Sequence, residues 1–229
     1  MMAETDFNSI VVAVSYRLNI FGFLAGKELL EEDATNSNFG LHDQRLALEW
    51  VYENISAFQG DPENITCAGL SAGLLSLFFL EIEWGLKFFP ICLGAFSTHY
   101  QICNEFFNSQ SVKPIIKRFF LESNAICVLP KTLEETQSQF HEVVKLYGLS
   151  PQSSNKELLE CLRKIKDVDL AERLLELDYH MFRPIIDHDF ISPNLIDYLS
   201  DGTFAKEFKR RNMSLLIGEV AKEVSLILL

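Results

Sequence analysis

Asn64-Ile65-Thr66-Cys67-Ala68-Gly69-Leu70-Ser71-Ala72-Gly73 is the stretch whose reading decides the fold. Asn64 to Leu70 is a short β-prone run, and Gly69 to Gly73 is a Gly-x-Ser-x-Gly pentapeptide. A serine placed where a strand turns sharply into a helix sits in a strained conformation. Small residues two before and two after it let the neighbouring backbone pack closely. Its hydroxyl is then raised above the sheet at a helix N-terminus, which favours developing negative charge. The amide of Ala72 is placed to donate to an oxyanion. Taken alone, the five residues read equally well as a plain glycine-rich turn, so the surrounding chain has to decide.

Upstream, Ile10 to Val14 (IVVAV) reads as a strand buried on both faces, which points to a parallel sheet. Ser15 to Asn38 reads as loop. His42 to Phe58 is predicted helical, with Leu46, Leu48, Trp50, Val51, Ile55 and Phe58 as its apolar stripe. Gly60-Asp61-Pro62 stops that helix. Downstream, a third strand is expected at Phe119 to Glu122 and a fourth at Met213 to Ile217. Helices are expected over Leu133 to Tyr147, Asn155 to Ile165 and Asp167 to Leu177, and a loop over Phe182 to Pro193. Strands alternating with helices predict an α/β fold with a mostly parallel central sheet flanked by helices.

Composition narrows the function. The 229 residues are 48% apolar, which excludes wholesale disorder. Lys plus Arg number 20 against 32 Asp plus Glu, a net charge of −12. A nucleic-acid binder held by phosphate neutralisation needs the opposite balance. The five cysteines form no CxxC pair and have no metal-ligand spacing, so neither a metal nor a cofactor is expected. The N-terminus has no basic region followed by an apolar one, so no signal peptide is read in this chain. Asn54-Ile55-Ser56, Asn64-Ile65-Thr66 and Asn212-Met213-Ser214 fit the N-glycosylation acceptor pattern, which matters only in a secreted chain.

Longer blocks surround the pentapeptide. They are Val14-Ser15-Tyr16-Arg17-Leu18-Asn19, Phe21-Gly22-Phe23-Leu24, Asn38-Phe39-Gly40-Leu41-His42-Asp43-Gln44-Arg45-Leu46-Ala47-Leu48-Glu49-Trp50-Val51 and Phe58-Gln59-Gly60-Asp61-Pro62. In this order and spacing they strongly resemble the type B carboxylesterases, the cholinesterase-like α/β-hydrolases, and fungal carboxylesterases in particular. The likeness continues more loosely through Phe120-Leu121-Glu122-Ser123-Asn124-Ala125, Cys161-Leu162-Arg163 and Pro184-Ile185-Ile186-Asp187 to Ser225. It implies hydrolysis of a small-molecule ester through an acyl-serine, by a serine, acid and histidine in that chain order. Ser71 matches the nucleophile, Glu223 the acid and Ala72 one oxyanion-hole donor; Arg45 and Asp61 match structural positions. Members of the family are often secreted. Some relatives of this fold serve binding or adhesion without catalysis, which is the alternative reading. Read without the resemblance, Glu223 is a solvated loop acid.

The departures from the family pattern matter as much. The family's histidine lies far downstream of its acid, and none of the six residues after Glu223 is histidine. Its glycine-rich oxyanion loop precedes the first strand and is not found here. The resemblance therefore implies a partial domain over residues 1–229, truncated at both ends and with little turnover of its own. His188, in a loop, is a poor substitute base. Leu74 to Gly94 is anomalous, since 14 of its 21 residues are apolar. Glu81, Glu83, Lys87 and Pro90 argue against a membrane span. Without the segment, Gly73 joins Ala95-Phe96-Ser97-Thr98-His99 as an ordinary continuation of the family's helix. An in-frame intron read as protein is the expected explanation.

Overall fold

The computed structural model of the chain describes residues 9–70, 94–108, 112–122, 129–177 and 182–218. Its helices in chain order are α1 (Asn19–Phe23), α2 (Lys27–Glu32), α3 (Phe39–Asn54), α4 (Ala95–Phe107), α5 (Leu133–Leu146), α6 (Asn155–Leu162), α7 (Asp167–Glu172), α8 (Leu195–Ser200) and α9 (Thr203–Arg210). Its strands are β1 (Thr66–Leu70), β2 (Arg118–Glu122) and β3 (Ser214–Gly218). All three fall where strands are expected from the sequence. They form one parallel sheet in the order β1-β2-β3. Parallel neighbours need long crossovers, and α4 lies in the one between β1 and β2.

The chain divides into two compact units, Met1–Ser15 with Gln44–Leu129 and Asn194–Leu229, and Tyr16–Asp43 with Pro130–Pro193. The first carries the sheet. Cys67, Phe119 and Leu121 point to its buried face. Leu48, Ile102 and Phe106 pack with Cys67 and Phe119, and Phe204 and Phe208 of α9 close over them. A second cluster joins Val51 and Ile55 to Ile65 and Ile115, just ahead of β1 and β2. The strand β3 is open to solvent along most of its length, with Leu216 62% exposed.

The second unit is helical. Phe140 and Val144 of α5 pack on Leu158 and Leu159 of α6, with Leu24 and Leu29 against them. A capping box starts α5: Glu135 N donates to Thr132 Oγ1, and Thr132 N donates to Glu135 Oε2. Two glycines let the chain approach itself. A Cβ on Gly22 or on Gly40 would lie 2.2 or 2.5 Å from the same Arg17 carbonyl oxygen. The Asp187 carboxylate ties a loop together, accepting from Ser37 Oγ, Asn38 Nδ2 and the amides of Asp189 and Ile191.

Five local expectations are corrected. Ile10 to Val14 forms no strand among the described residues, and Val11 is 58% exposed. A β-branched run becomes a strand only where another backbone offers its ladder. Ser15 to Asn38 holds the short helices α1 and α2. The helix α3 buries Leu41, Gln44, Arg45, Leu48 and Val51 and leaves Leu46 and Trp50 exposed; in the 3-10 turn that follows it, Ile55 is buried and Phe58 exposed. Spacings of three and four fit the first set, and Leu46 and Trp50 lie on the opposite side. The helices α8 and α9 occupy a stretch where none was expected. The helix predicted over Asp167 to Leu177 is α7 followed by a 3-10 turn at Arg173–Glu176. Of the Leu74 to Gly94 segment, only Gly94, the N-cap of α4, is among the described residues. No helix of the described residues is long and apolar enough to cross a membrane.

Candidate active site

The strands of the sheet finish level. Leu70 pairs in register with Glu122, and Glu122 with Gly218. Neighbouring strands stand about 4.8 Å apart, so the ends of β1 and β3 are separated by about 10 Å across β2. The residue following Leu70 in the chain is Ser71, and Glu223 comes five residues after Gly218. Ser71, Ala72 and Glu223 themselves lie outside the described residues. What is placed is the platform from which both segments start, the carboxyl edge of a parallel sheet, where open α/β sheets bind their ligands.

The helix α4 runs antiparallel to the strands. Near its start, the Cys67 thiol donates to Thr98 Oγ1 across 3.8 Å, at the level of Phe119. Near its end, Glu105 accepts from the amides of Ile115 and Ile116, upstream of β2. Seven residues of helix climb about 10 Å, and three to four residues of strand cover the same span. The N-terminus of α4 is therefore directed to the carboxyl edge, bringing the positive end of the helix dipole to that edge.

Almost every side chain of α4 from Ala95 to Phe106 is buried. Two of its polar side chains pair with α3. Gln101 Nε2 donates to Gln44 Oε1 at 3.3 Å. Arg45 Nη1 donates to Glu105 Oε1 at 2.7 Å, and Arg45 Nη2 donates to the Lys113 carbonyl. Burial lifts the Glu105 carboxyl above its ordinary range, against the pull of the two amides and Arg45. Glu105 is the lone charge in the helix Ala95–Phe107, and a single carboxylate in an otherwise uncharged helix is the sequence signal of this buried pair.

Among the described residues of the sheet-bearing unit, the histidine is His99. It is buried, its Nε2 lies 3.2 Å from Cys103 Sγ, and its ring packs on Phe204 at 5.4 Å. Burial lowers its pKa to about 4, so it is neutral and enclosed, a core residue and not a base. Burial also raises Cys67 to about 11 and Cys103 higher still, which leaves both as unreactive thiols. Cys67, Cys103 and Cys161 are free. Among the described residues no three metal-ligating side chains converge. His42, His141 and His188 belong to the helical unit. There His188 is exposed with φ +64°, and its backbone amide donates to the Ile191 carbonyl.

Comparison with known proteins bears on the same segments. The carboxylesterase family profile matches residues 1–82. An uncharacterized esterase/lipase of Schizosaccharomyces pombe is 43% identical over 217 residues, 95% of this chain and 36% of that protein. A secreted triacylglycerol lipase of Gibberella zeae is 35% identical over 155 residues, 67% of this chain and 22% of that protein. The crystal structure of a Geobacillus stearothermophilus carboxylesterase aligns with a TM-score of 0.67 at 27% identity, over 93% of this chain and 38% of that one. The chain thus spans between a fifth and two fifths of each of these three proteins. A parallel sheet flanked by helices, with β1 running straight into Gly-x-Ser-x-Gly and a fold shared with a solved carboxylesterase, belongs to the α/β-hydrolases, and this chain is a member of the carboxylesterase family.

Proposed function

We propose that the chain is the nucleophile-bearing part of a serine carboxylic ester hydrolase. The observation that supports this reading is the end of β1: Leu70, which precedes Ser71 in the sequence, lies at the sheet edge toward which the N-terminus of α4 is directed. In this reading the Ser71 hydroxyl attacks the ester carbonyl, the Ala72 amide donates to the resulting oxyanion, and an acyl-serine forms and is hydrolysed by water. Glu223 orients a histidine base and stabilises its imidazolium. The names of the Schizosaccharomyces and Geobacillus relatives support ester chemistry, and the name of the Gibberella relative supports an exported enzyme. Acidic balance, 32 carboxylates against 20 Lys and Arg, supports a small-molecule ester over a nucleic acid as partner.

A fluorophosphonate probe applied to the full gene product tests the assignment. The expected result is one labelled serine, Ser71, with labelling and p-nitrophenyl acetate hydrolysis both lost in Ser71→Ala. A full gene product that hydrolyses the ester equally well as Ser71→Ala overturns it. Residues 1–229 contain no histidine after Glu223. Expressed alone, this segment is expected to turn over the same ester more slowly by several powers of ten, because the members of such a relay act as a unit.

A further inference from the structure

Three acceptor tripeptides stand in the chain, at Asn54, Asn64 and Asn212, and the fold treats their carboxamides differently. Asn54 ends α3, is half-buried, and spends its Nδ2 on the Trp50 carbonyl at 2.8 Å. Asn64 is exposed, but its Oδ1 accepts from the Arg118 guanidinium of β2. The tripeptide's middle residue, Ile65, is buried, and its carbonyl accepts from the amides of Lys117 and Arg118. Asn212 differs from both. It sits in the turn between α9 and β3, exposed, in the left-handed region at φ +51°, where asparagine is among the few favoured residues. Its backbone amide is held by the Lys209 carbonyl, while its side chain bonds to nothing among the described residues. Ser214, the hydroxyl residue of the tripeptide, is exposed as well.

We infer that Asn212 is the position at which this chain carries an N-linked glycan, an assignment that rests on the export reading above. In the transfer, Asn212 Nδ2 forms a bond to the anomeric carbon of an oligosaccharide carried on a polyprenyl diphosphate. The bond from that carbon to the diphosphate oxygen breaks, the diphosphate leaves with the electron pair, and the amide gives up one proton. A bulky group on Nδ2 displaces no contact at Asn212. At Asn54 it crowds the bond to Trp50, and at Asn64 it must share the carboxamide with Arg118. Asn212 lies two residues ahead of Ser214, which is level with Arg118 and Thr66 at the amino edge of the sheet. A glycan there stands at the end of the strands opposite the candidate active site.

The test expresses the full gene product behind a cleavable leader in yeast and recovers the leader-cleaved protein. Peptide N-glycosidase in 18O-water then marks each occupied asparagine as heavy aspartate. Heavy label at position 212 is expected. One glycan step on a gel should disappear in Asn212→Gly, which suits the left-handed backbone, and in Ser214→Ala. The step should persist in Ser214→Thr, Asn54→Gln and Asn64→Gln. Leader-cleaved protein with position 212 unlabelled, or a step that survives Asn212→Gly, overturns the assignment. Since leader cleavage itself reports entry into the lumen, failure of the native protein to be exported is a separate result and strikes only the export reading.

Discussion

Arg45 and Glu105, sixty residues apart in the chain, meet at 2.7 Å with side chains that are 7% and 1% exposed. Arg45 also bonds the Lys113 carbonyl, and Glu105 also accepts from the Ile115 and Ile116 amides. The pair thus fastens α3 and α4 to the chain leading into β2. Removing Arg45 leaves a carboxylate enclosed without its partner. Arg45→Met is expected to destabilise the sheet-bearing unit by about 3–5 kcal/mol. Adding Glu105→Gln removes the stranded charge, and the double variant is expected to recover part of that loss. Urea unfolding of the two single variants and the double gives the coupling, and strict additivity would contradict a direct pair.

His99 makes a second expectation, in pH. Its folded pKa of about 4 lies below the ordinary 6.5, so between those values the unfolded chain binds a proton that the folded chain does not. The stabilisation from keeping His99 neutral is complete above pH 6.5 and is lost as pH falls towards 4. Its size is about 3 kcal/mol at roughly 1.4 kcal/mol per pH unit. His99→Gln, which does not titrate, is expected to flatten the pH dependence of stability across this window. An unchanged slope would mean that other groups set it.

Asn38 holds the loop of Asp187 in the helical unit. Its Nδ2 donates to Asp187 Oδ2 at 2.6 Å and to the Ile185 carbonyl, and its Oδ1 accepts from the Ile185 amide. Its φ of +47° also suits asparagine better than alanine. Asn38→Ala forfeits all three bonds and is expected to lower stability by about 2–4 kcal/mol. Asn38→Asp, almost the same shape, sets a second carboxylate against Asp187. Its deficit is expected to shrink as pH falls into the carboxylate range, which thermal unfolding between pH 7 and pH 4 measures.

The sheet was legible because Thr66 to Leu70, Phe119 to Glu122 and Ser214 to Ile217 are short apolar runs bounded by turn residues. Ile10 to Val14 carries the same local signal and no strand, since strand propensity describes fit to a neighbour that the run itself cannot name. In α3, apolar spacing could not reveal that Gln44 and Arg45 go inside while Leu46 stays out. The decision rests on Gln101 and Glu105, far along the chain. The helix α9 escaped notice because Lys206, Glu207, Lys209 and Arg210 dominate it, though Phe204 and Phe208 have the one-turn spacing that its buried edge needs. The candidate site was legible from the pentapeptide and its flanks. The roles of Ser71, Ala72 and Glu223 remain part of the proposal, whereas the strand ends that precede Ser71 and Glu223 are seen.

The common finishing line of Leu70, Glu122 and Gly218 bears on how such a protein changes over time. The anchors described above, from the Arg45 pair to the phenylalanines of α9, attach below that line. Segments leaving it can be lengthened, exchanged or redirected while the foundation stays as it is. New substrate preferences are then open to the scaffold without a new core.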